Sequence, residues 1–438
     1  MAGMAETGQR IRVAVIGAGE RGVYVLGARA AEFVRETGIV IRVLCDTNEA
    51  RALEGREFLE ERYREAGESV SIDVDTDFRR VIARDDIDSV FVTTYTSEHR
   101  EPTVAALAAG KQVYLDKPMA TTLEDADAIM EAERQAARPL IMGFTRRYEP
   151  TWRRAVSLLR EGAIGELQTI LLRSVIPYAR YLQRWHRLRG RSGGALNDKV
   201  SHYYDALNWI ADSRVETLSA QGGRSGVFAP DPTAPRRCRE CDRDCPFRAL
   251  PGPNRREIGI VYRLDPDYRK QDVGIFSRPS WTEAEQEDAQ IDNCVYSPDS
   301  DIIDHAVVSV AYENGVKASL FWNIFGPAAE DEESLELVGS SGRLRLNRDT
   351  GEIDLISNYG ENHQIIDATG PHFNSSHFGA DIELLRAVRD HYHGSLPVAG
   401  TLDGYESLRM VEATQRAIDQ GGSLLSLRTN ETGDRYDR

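Results

Sequence analysis

Four groups of residues in this chain have the types and the spacing to do chemistry. The first is Lys117, which follows a short apolar run and precedes Pro118. A partly desolvated lysine at the carboxyl end of a strand can take a proton from a substrate hydroxyl. A solvated strand-end lysine is the competing account. The second group is NDKVSHYYD, residues 197–205, where Asp198, His202 and Asp205 stand at i, i+4 and i+7 and so share one helix face. A carboxylate one turn from a histidine orients the ring and tunes its proton affinity. Read alone, the same spacing fits a capping Asp198 and a core His202 at least as well. The third group is CRECDRDCPF, in which Cys238, Cys241 and Cys245 follow a C-x2-C-x3-C pattern inside an arginine-rich stretch. Positive charge favours the thiolate, which is the form that binds metal, and a structural zinc site closes with four ligands. Cys294 is the natural fourth, because Cys45 falls on an apolar strand. An iron–sulfur cluster would take the same four residues, and free thiols or a disulfide are the alternatives; no catalytic role is assigned to the cluster.

The fourth group organises the rest. IRVAVIGAGERG, residues 11–22, reads as a buried strand, a glycine-rich turn and the entry to a helix, with Gly17, Gly19 and Gly22 at GxGxxG spacing. Gly17 permits the tight turn, Gly19 lets backbone approach a pyrophosphate, and Gly22 lets helix and strand pack closely. The helix N-terminus then offers free N–H groups to the anion, and Glu20 and Arg21 between the glycines count with the cofactor residues. Asp46 closes the next apolar strand, 39–45, where a carboxylate accepts the ribose hydroxyls and repels a 2′-phosphate. NAD is therefore favoured over NADP, although Arg42 and Arg51 stand near enough in sequence to meet a phosphate.

These groups need elements to hold them. After Asp46 the pattern alternates helix and strand: helical period over 48–66 and 77–84, a β-branched strand at 89–94, a helix over 98–109, a strand at 111–115, a helix over 122–137 and a last strand at 139–144. Such βα alternation predicts a doubly wound parallel sheet. Ligands gather at the carboxyl ends of its strands, which directs attention to the loops 94–99 and 116–118. Beyond residue 146 the pattern changes to a helix, an arginine-rich loop around 180–191, a helix after Asp198 and neighbouring strands after 306, predicting an α/β domain with an open, mostly antiparallel sheet. The expected organisation is a Rossmann domain over 1–145, a second domain over 146–425 with an irregular insertion at 222–300, and a loose tail at 426–438.

A chain of 438 residues is long for a single core. Its net charge of −16 speaks against a nucleic-acid or anionic-membrane surface. Neither a secretory leader nor an apolar run of membrane-spanning length is visible, and five cysteines do not make a disulfide framework, so a cytoplasmic protein is expected.

With these motifs in place, the chain resembles the Gfo/Idh/MocA family of NAD(P)-dependent oxidoreductases over about residues 11–419. The family's GxGxxG matches Gly17, Gly19 and Gly22. Its T-P-N-x-x-H loop corresponds to TYTSEH, where Thr94 and His99 match while Tyr95 and Thr96 replace Pro-Asn. The AGKxVxxEKP signature is AGKQVYLDKP here, with Asp116 in place of glutamate. The resemblance implies a kinked, often cis, Lys-Pro link and a catalytic lysine, Lys117. The GGGxxxDxGxHxxD stretch is similar to GGALNDKVSHYYD, so Asp198, His202 and Asp205 match, while Lys199, Val200 and Ser201 follow a subgroup form. That subgroup carries a cysteine cluster ending in C-P and a later C-V-Y, here Cys245-Pro246 and Cys294-Val295-Tyr296. The implied activity is oxidation of a secondary hydroxyl of a sugar, sugar derivative or inositol by NAD, in a site between the domains. Lys117 and His202 would share proton transfer and Asp198 would orient His202. Thr94, His99 and Asp116 would join the cofactor residues, and a homodimer or homotetramer would form through the open sheet. The same scaffold also fits a redox-neutral glycoside-cleaving enzyme that keeps its NAD, or a non-catalytic sensor of sugar and nucleotide.

Overall fold

The computed structural model describes residues 10–243, 245, 247, 293–326 and 332–428, apart from the side chains of Arg180 and Arg239. Most of the insertion, Pro246 and the end of the tail thus lie outside the described residues. Two compact units emerge. One holds the chain through Glu149 together with Gly379–Glu406; the other holds Pro150–Phe378 and the chain from Ser407 onward.

The first unit contains a six-stranded parallel sheet: β1 (Ile11–Ile16), β2 (Ile39–Cys45), β3 (Asp73–Asp75), β4 (Ser89–Val92), β5 (Gln112–Leu115) and β6 (Ile141–Met142), in the order β3-β2-β1-β4-β5-β6. Only Arg12 in β1 and Arg42 in β2 are less than buried, as central parallel strands covered on both faces require. The order reverses between β1 and β4, which pair directly from Val13 with Ser89 to Ile16 with Val92. Such a switch point opens a crevice at the strands' carboxyl ends, and the loops after β1, β4 and β5 all leave from that edge. Helices are held by local chemistry: Asn48 caps Glu49–Glu65 by accepting from the Arg51 amide, and Thr122 caps Leu123–Gln135 by accepting from the Asp125 amide. The distant helix Ala380–Tyr392 returns to this core, burying Ala380, Leu384, Leu385 and Val388 with Val13, Ile39 and Tyr114.

The second unit is built on a nine-stranded sheet among the described residues, in the order β14-β13-β12-β11-β7-β10-β9-β8-β15. The strands are β7 (Leu167–Val175), β8 (Val215–Gly223), β9 (His305–Tyr312), β10 (Lys317–Asn323), β11 (Glu333–Gly339), β12 (Arg343–Asn347), β13 (Glu352–Ser357), β14 (Asn362–Asp367) and β15 (Leu425–Ser426). Every pairing is antiparallel except β7 with β10. Strand β9 alternates buried Ala306, Val308 and Val310 with exposed Val307 and Ser309, the period-two signature of a sheet with one covered face. The helix Ser201–Ala211 lies on the covered side and buries His202, Tyr203, Tyr204 and Asp205. Both halves of the predicted fold class are present. No helix among the described residues is long and apolar enough to cross a membrane.

Candidate active site

In the first unit the glycine loop has the geometry its spacing predicts. Gly17 sits at φ +97°, and a Cβ there would fall 2.7 Å from the Thr93 and Thr94 backbone, so a side chain is excluded by both conformation and contact. A Cβ on Gly22 would meet Thr93 Oγ1, the Gly17 carbonyl and Val15 within 2.7 Å. Gly19 is different: no protein atom lies within 4 Å of the position its Cβ would take. Nothing in the fold demands a glycine there, and the open surface above it is what a closely approaching pyrophosphate needs. The helix that follows, Glu20–Gly27, is wound as a π-helix with Gly19 as its N-cap.

Asp46 is buried at the end of β2. Its Oδ2 accepts from the Ala18 amide at 2.9 Å, its Oδ1 from the Asn48 amide at 2.9 Å, and Arg51 Nη1 reaches Oδ1 at 3.2 Å. The carboxylate is thus fixed beside the glycine loop, and Arg51 is engaged with it.

Lys117 follows β5, and its bond to Pro118 is cis. Two neighbours hold this turn. His99 is buried, with Nδ1 2.9 Å from the Pro118 carbonyl and Nε2 3.3 Å from the Thr94 carbonyl. A neutral ring donates to one of these two carbonyls. Burial pushes the imidazole below its ordinary value, against the opposing pull of Asp116, so His99 stays neutral. Its visible work is to tie the loop after β4 to the Lys117-Pro118 turn. On the other side Asp116 Oδ1 accepts from the Tyr114 hydroxyl at 2.8 Å and from Arg21 Nε at 3.3 Å. Arg21 also donates to Asp381 Oδ1 at 2.5 Å and to the Tyr114 hydroxyl at 3.2 Å. Burial alone would make Arg21 easier to deprotonate, but Tyr114, Asp381 and Asp116 hold it firmly charged. Arg21 and Asp116, expected at the cofactor, are thus bonded to each other.

In the second unit, Asp198 and Lys199 lie in a wide π-turn, Leu196–Val200, that leads into Ser201–Ala211. The i, i+4 and i+7 spacing is therefore not that of a straight α-helix. Single π-turns inside helices recur at functional sites. Asp198 Oδ2 accepts from the Tyr181 hydroxyl at 2.5 Å, with His186 Nε2 at 4.0 Å. His186 stacks on Trp185 and meets Tyr181 edge-on. Lys199 donates to Glu333 Oε1 at 2.9 Å, and Tyr203 donates to the same oxygen at 2.8 Å. Arg348 adds a 3.4 Å ion pair on the other oxygen. Lys199 is therefore anchored inward, while Asp198 and His202 are each only 7% exposed. Sequence reasoning missed Tyr181 and His186. Their stretch, YARYLQRWH, reads first as arginine-rich, but its aromatic content was the available signal.

Cys238, Cys241, Cys245 and Cys294 line one small cavity of about 90 Å³, as the spacing and the Cys294 pairing anticipate. All are free thiols. Among the described residues, no three His, Cys, Asp or Glu side chains are gathered so that they could hold a metal ion.

Residues 11–144 match the family model described as the NAD-binding Rossmann fold of the Gfo/Idh/MocA oxidoreductases, and residues 156–425 match that family's C-terminal alpha/beta domain. YteT of Bacillus subtilis, named as an oxidoreductase, is 27% identical over 279 residues, which is 59% of this chain and 60% of YteT. Inositol 2-dehydrogenase 3 of Saccharopolyspora erythraea is 35% identical over 142 residues, 32% of this chain and 39% of that protein. These alignments span less than two thirds of either relative. A levoglucosan dehydrogenase solved with NADH and levoglucosan superposes with a TM-score of 0.70 at 17% identity, covering 96% of this chain and 100% of that one; at that identity the likeness is one of fold. With both family models matched in chain order, the protein belongs to the Gfo/Idh/MocA oxidoreductase family.

Proposed function

We propose that this protein is an NAD-dependent dehydrogenase that oxidises a secondary hydroxyl of a sugar, sugar derivative or inositol. The observation that carries the reading is Lys117, set after β5 on a turn that His99 and Asp116 brace, in the same unit as an open Gly19 and a buried Asp46. The residues present fit the dinucleotide: Gly17–Gly22 for the pyrophosphate, and Asp46 for the ribose hydroxyls. A carboxylate there favours NAD over NADP. When bound, the nicotinamide supplies the hydride acceptor. Lys117 takes the hydroxyl proton as the carbon gives up its hydride. In the second unit, Asp198, with Tyr181 donating to it, is the residue that orients His202 or holds a hydroxyl of the substrate. The similarity to a protein named as an inositol 2-dehydrogenase supports the substrate class.

Three further readings accompany it. Leu171, Val307 and Phe321 are 48%, 45% and 46% exposed on one sheet face, and Phe321 pairs directly with Val307. We take this face to be covered by a second copy, giving a homodimer or homotetramer. The four clustered cysteines hold a metal ion, zinc in preference to an iron–sulfur cluster. Five cysteines with no disulfide among them fit a reducing cytoplasm.

The experiment is nicotinamide absorbance during incubation of pure protein with NAD and a panel of sugars, sugar acids, glycosides and inositols. NADH forming with one polyol class supports the reading. Release of an aglycone with no net NADH overturns it.

A further inference from the structure

Three cysteines of the cluster stand on one short loop and the fourth on a segment that crosses it. The crossing is made by backbone: the Cys294 amide donates to the Arg236 carbonyl at 2.9 Å, and Arg237 bridges Asn293 in antiparallel fashion. Two of the sulfurs already accept amide hydrogen bonds from two residues further along the chain. The Phe247 amide lies 3.4 Å from Cys245 Sγ, and the Tyr296 amide is bonded to the Cys294 sulfur. Burial pushes the Cys294 thiol up in spite of that amide, and it is the sharing of one cavity by the four cysteines that makes them a candidate ligand set. The Arg243 guanidinium lies close enough to interact with Cys241 and Cys294. Cys241 and Cys245 are part-exposed, so an ion can enter, while Cys238 and Cys294 are buried.

The same crossing reaches the Asp198 neighbourhood. Both the amide and the side-chain Nδ2 of Asn293, next to Cys294, donate to the Gln183 carbonyl, at 3.1 and 3.0 Å. Gln183 in turn donates to the Phe247 carbonyl. Arg187 pairs with Asp299 at 3.0 Å, and Asp301 Oδ1 accepts from the Arg189 amide at 2.8 Å. Residues 183–189 are thus stitched to the cysteine crossing, and the flanking Tyr181 and the enclosed His186 are the side chains that meet Asp198.

We propose that Cys238, Cys241, Cys245 and Cys294 bind one zinc ion as four thiolates, and that this ion holds the 181–189 segment so that Tyr181 and His186 stay at Asp198. The metal is a positioning device for the substrate side of the site and has no part in the chemistry. The coupling rests on the reading of Asp198 as a substrate-side residue and of the cysteines as metal ligands.

The test separates the two halves and uses no turnover. Zinc in the purified full-length protein, measured by elemental mass spectrometry after dialysis, is expected at one per chain and lost in Cys294→Ser. Cobalt replacing it is expected to give the intense sulfur charge-transfer and visible bands of a tetrahedral thiolate site. Hydrogen exchange over 181–189 is then expected to become at least about tenfold faster in Cys294→Ser, with strand β1 unchanged. Asn293→Ala, which keeps every thiol, is expected to retain zinc and still loosen 181–189. A protein that carries no zinc and gives no cobalt thiolate spectrum, that carries iron and sulfide, or that holds these cysteines as disulfides overturns the metal reading. Zinc bound at one per chain with 181–189 exchange unchanged in both variants leaves the metal standing and overturns the coupling.

Discussion

Replacing Asp46 by serine tests the cofactor assignment through binding alone. The carboxylate is fixed by the Ala18 and Asn48 amides and by Arg51. A serine hydroxyl is too short to serve both amides, and it carries no charge. The Ala18 amide is buried in this contact, so leaving it without an acceptor costs about 1–3 kcal/mol of stability. Toward the ligand, hydrogen bonds from ribose hydroxyls to a charged acceptor are worth about 1.5–3 kcal/mol, so the NADH Kd should rise about 10- to 100-fold. NADPH should move the other way, because the repelling charge is gone and Arg51 is released to meet a 2′-phosphate. The assay is a fluorescence titration of NADH and NADPH into both proteins, with a urea melt as the stability control. An NADH Kd within about twofold of the parent, with no gain for NADPH, would show that Asp46 only braces the loop.

Three other expectations can be checked with standard measurements. His99 is held neutral by burial, so between the ordinary histidine value near 6.5 and its lower folded value the unfolded chain binds more protons. Stability should therefore fall as pH drops below about 6.5, by up to about 1.4 kcal/mol per pH unit, with no such contribution above it; urea midpoints at pH 7 and 5.5 should show a smaller acid loss in His99→Asn, and equal slopes would contradict the assignment. Arg21→Ala strands Asp381, which is 1% exposed, together with Asp116; a loss of about 3 kcal/mol in urea unfolding is expected, and a loss below about 1 kcal/mol would mean the network is not held together by charge. Phe321→Glu places a charge in the exposed apolar face and should lower the mass found by light scattering to that of a smaller assembly, whereas an unchanged mass would place the interface elsewhere.

What the sequence made legible followed chain distance. Gly17, Gly19, Gly22 and Asp46 belong to consecutive elements, so spacing and apolar runs suffice to place them beside one another. Most strands of the first sheet announced themselves by continuous apolar runs, and β7, β9, β10, β11 and β12 of the second were expected, whereas β3, β8, β13, β14 and β15 were not. The partners were not legible. Asp381 reaches Arg21 from a helix far along the chain, and nothing in its local pattern distinguishes it from a surface acid in the first turn of a helix. Glu333 opens a strand and would be read as a solvent-facing end, yet it is buried as the shared acceptor of Lys199 and Tyr203. Periodicity also assumed an α-helical pitch through Asp198, where a π-turn changes which residues share a face. Long-range pairing and local winding are set by packing, which residue spacing does not record.

The most direct measurement of the central claim is NADH formation by Lys117→Ala, set beside its NADH affinity. The account predicts a rate about 10²- to 10⁴-fold below the parent on whichever polyol the panel identifies, because acid–base assistance is lost. NADH affinity should stay within about threefold, since the glycine loop and Asp46 are untouched. Turnover at the parental rate, with the same affinity, would contradict Lys117 as the proton acceptor and with it the proposed chemistry.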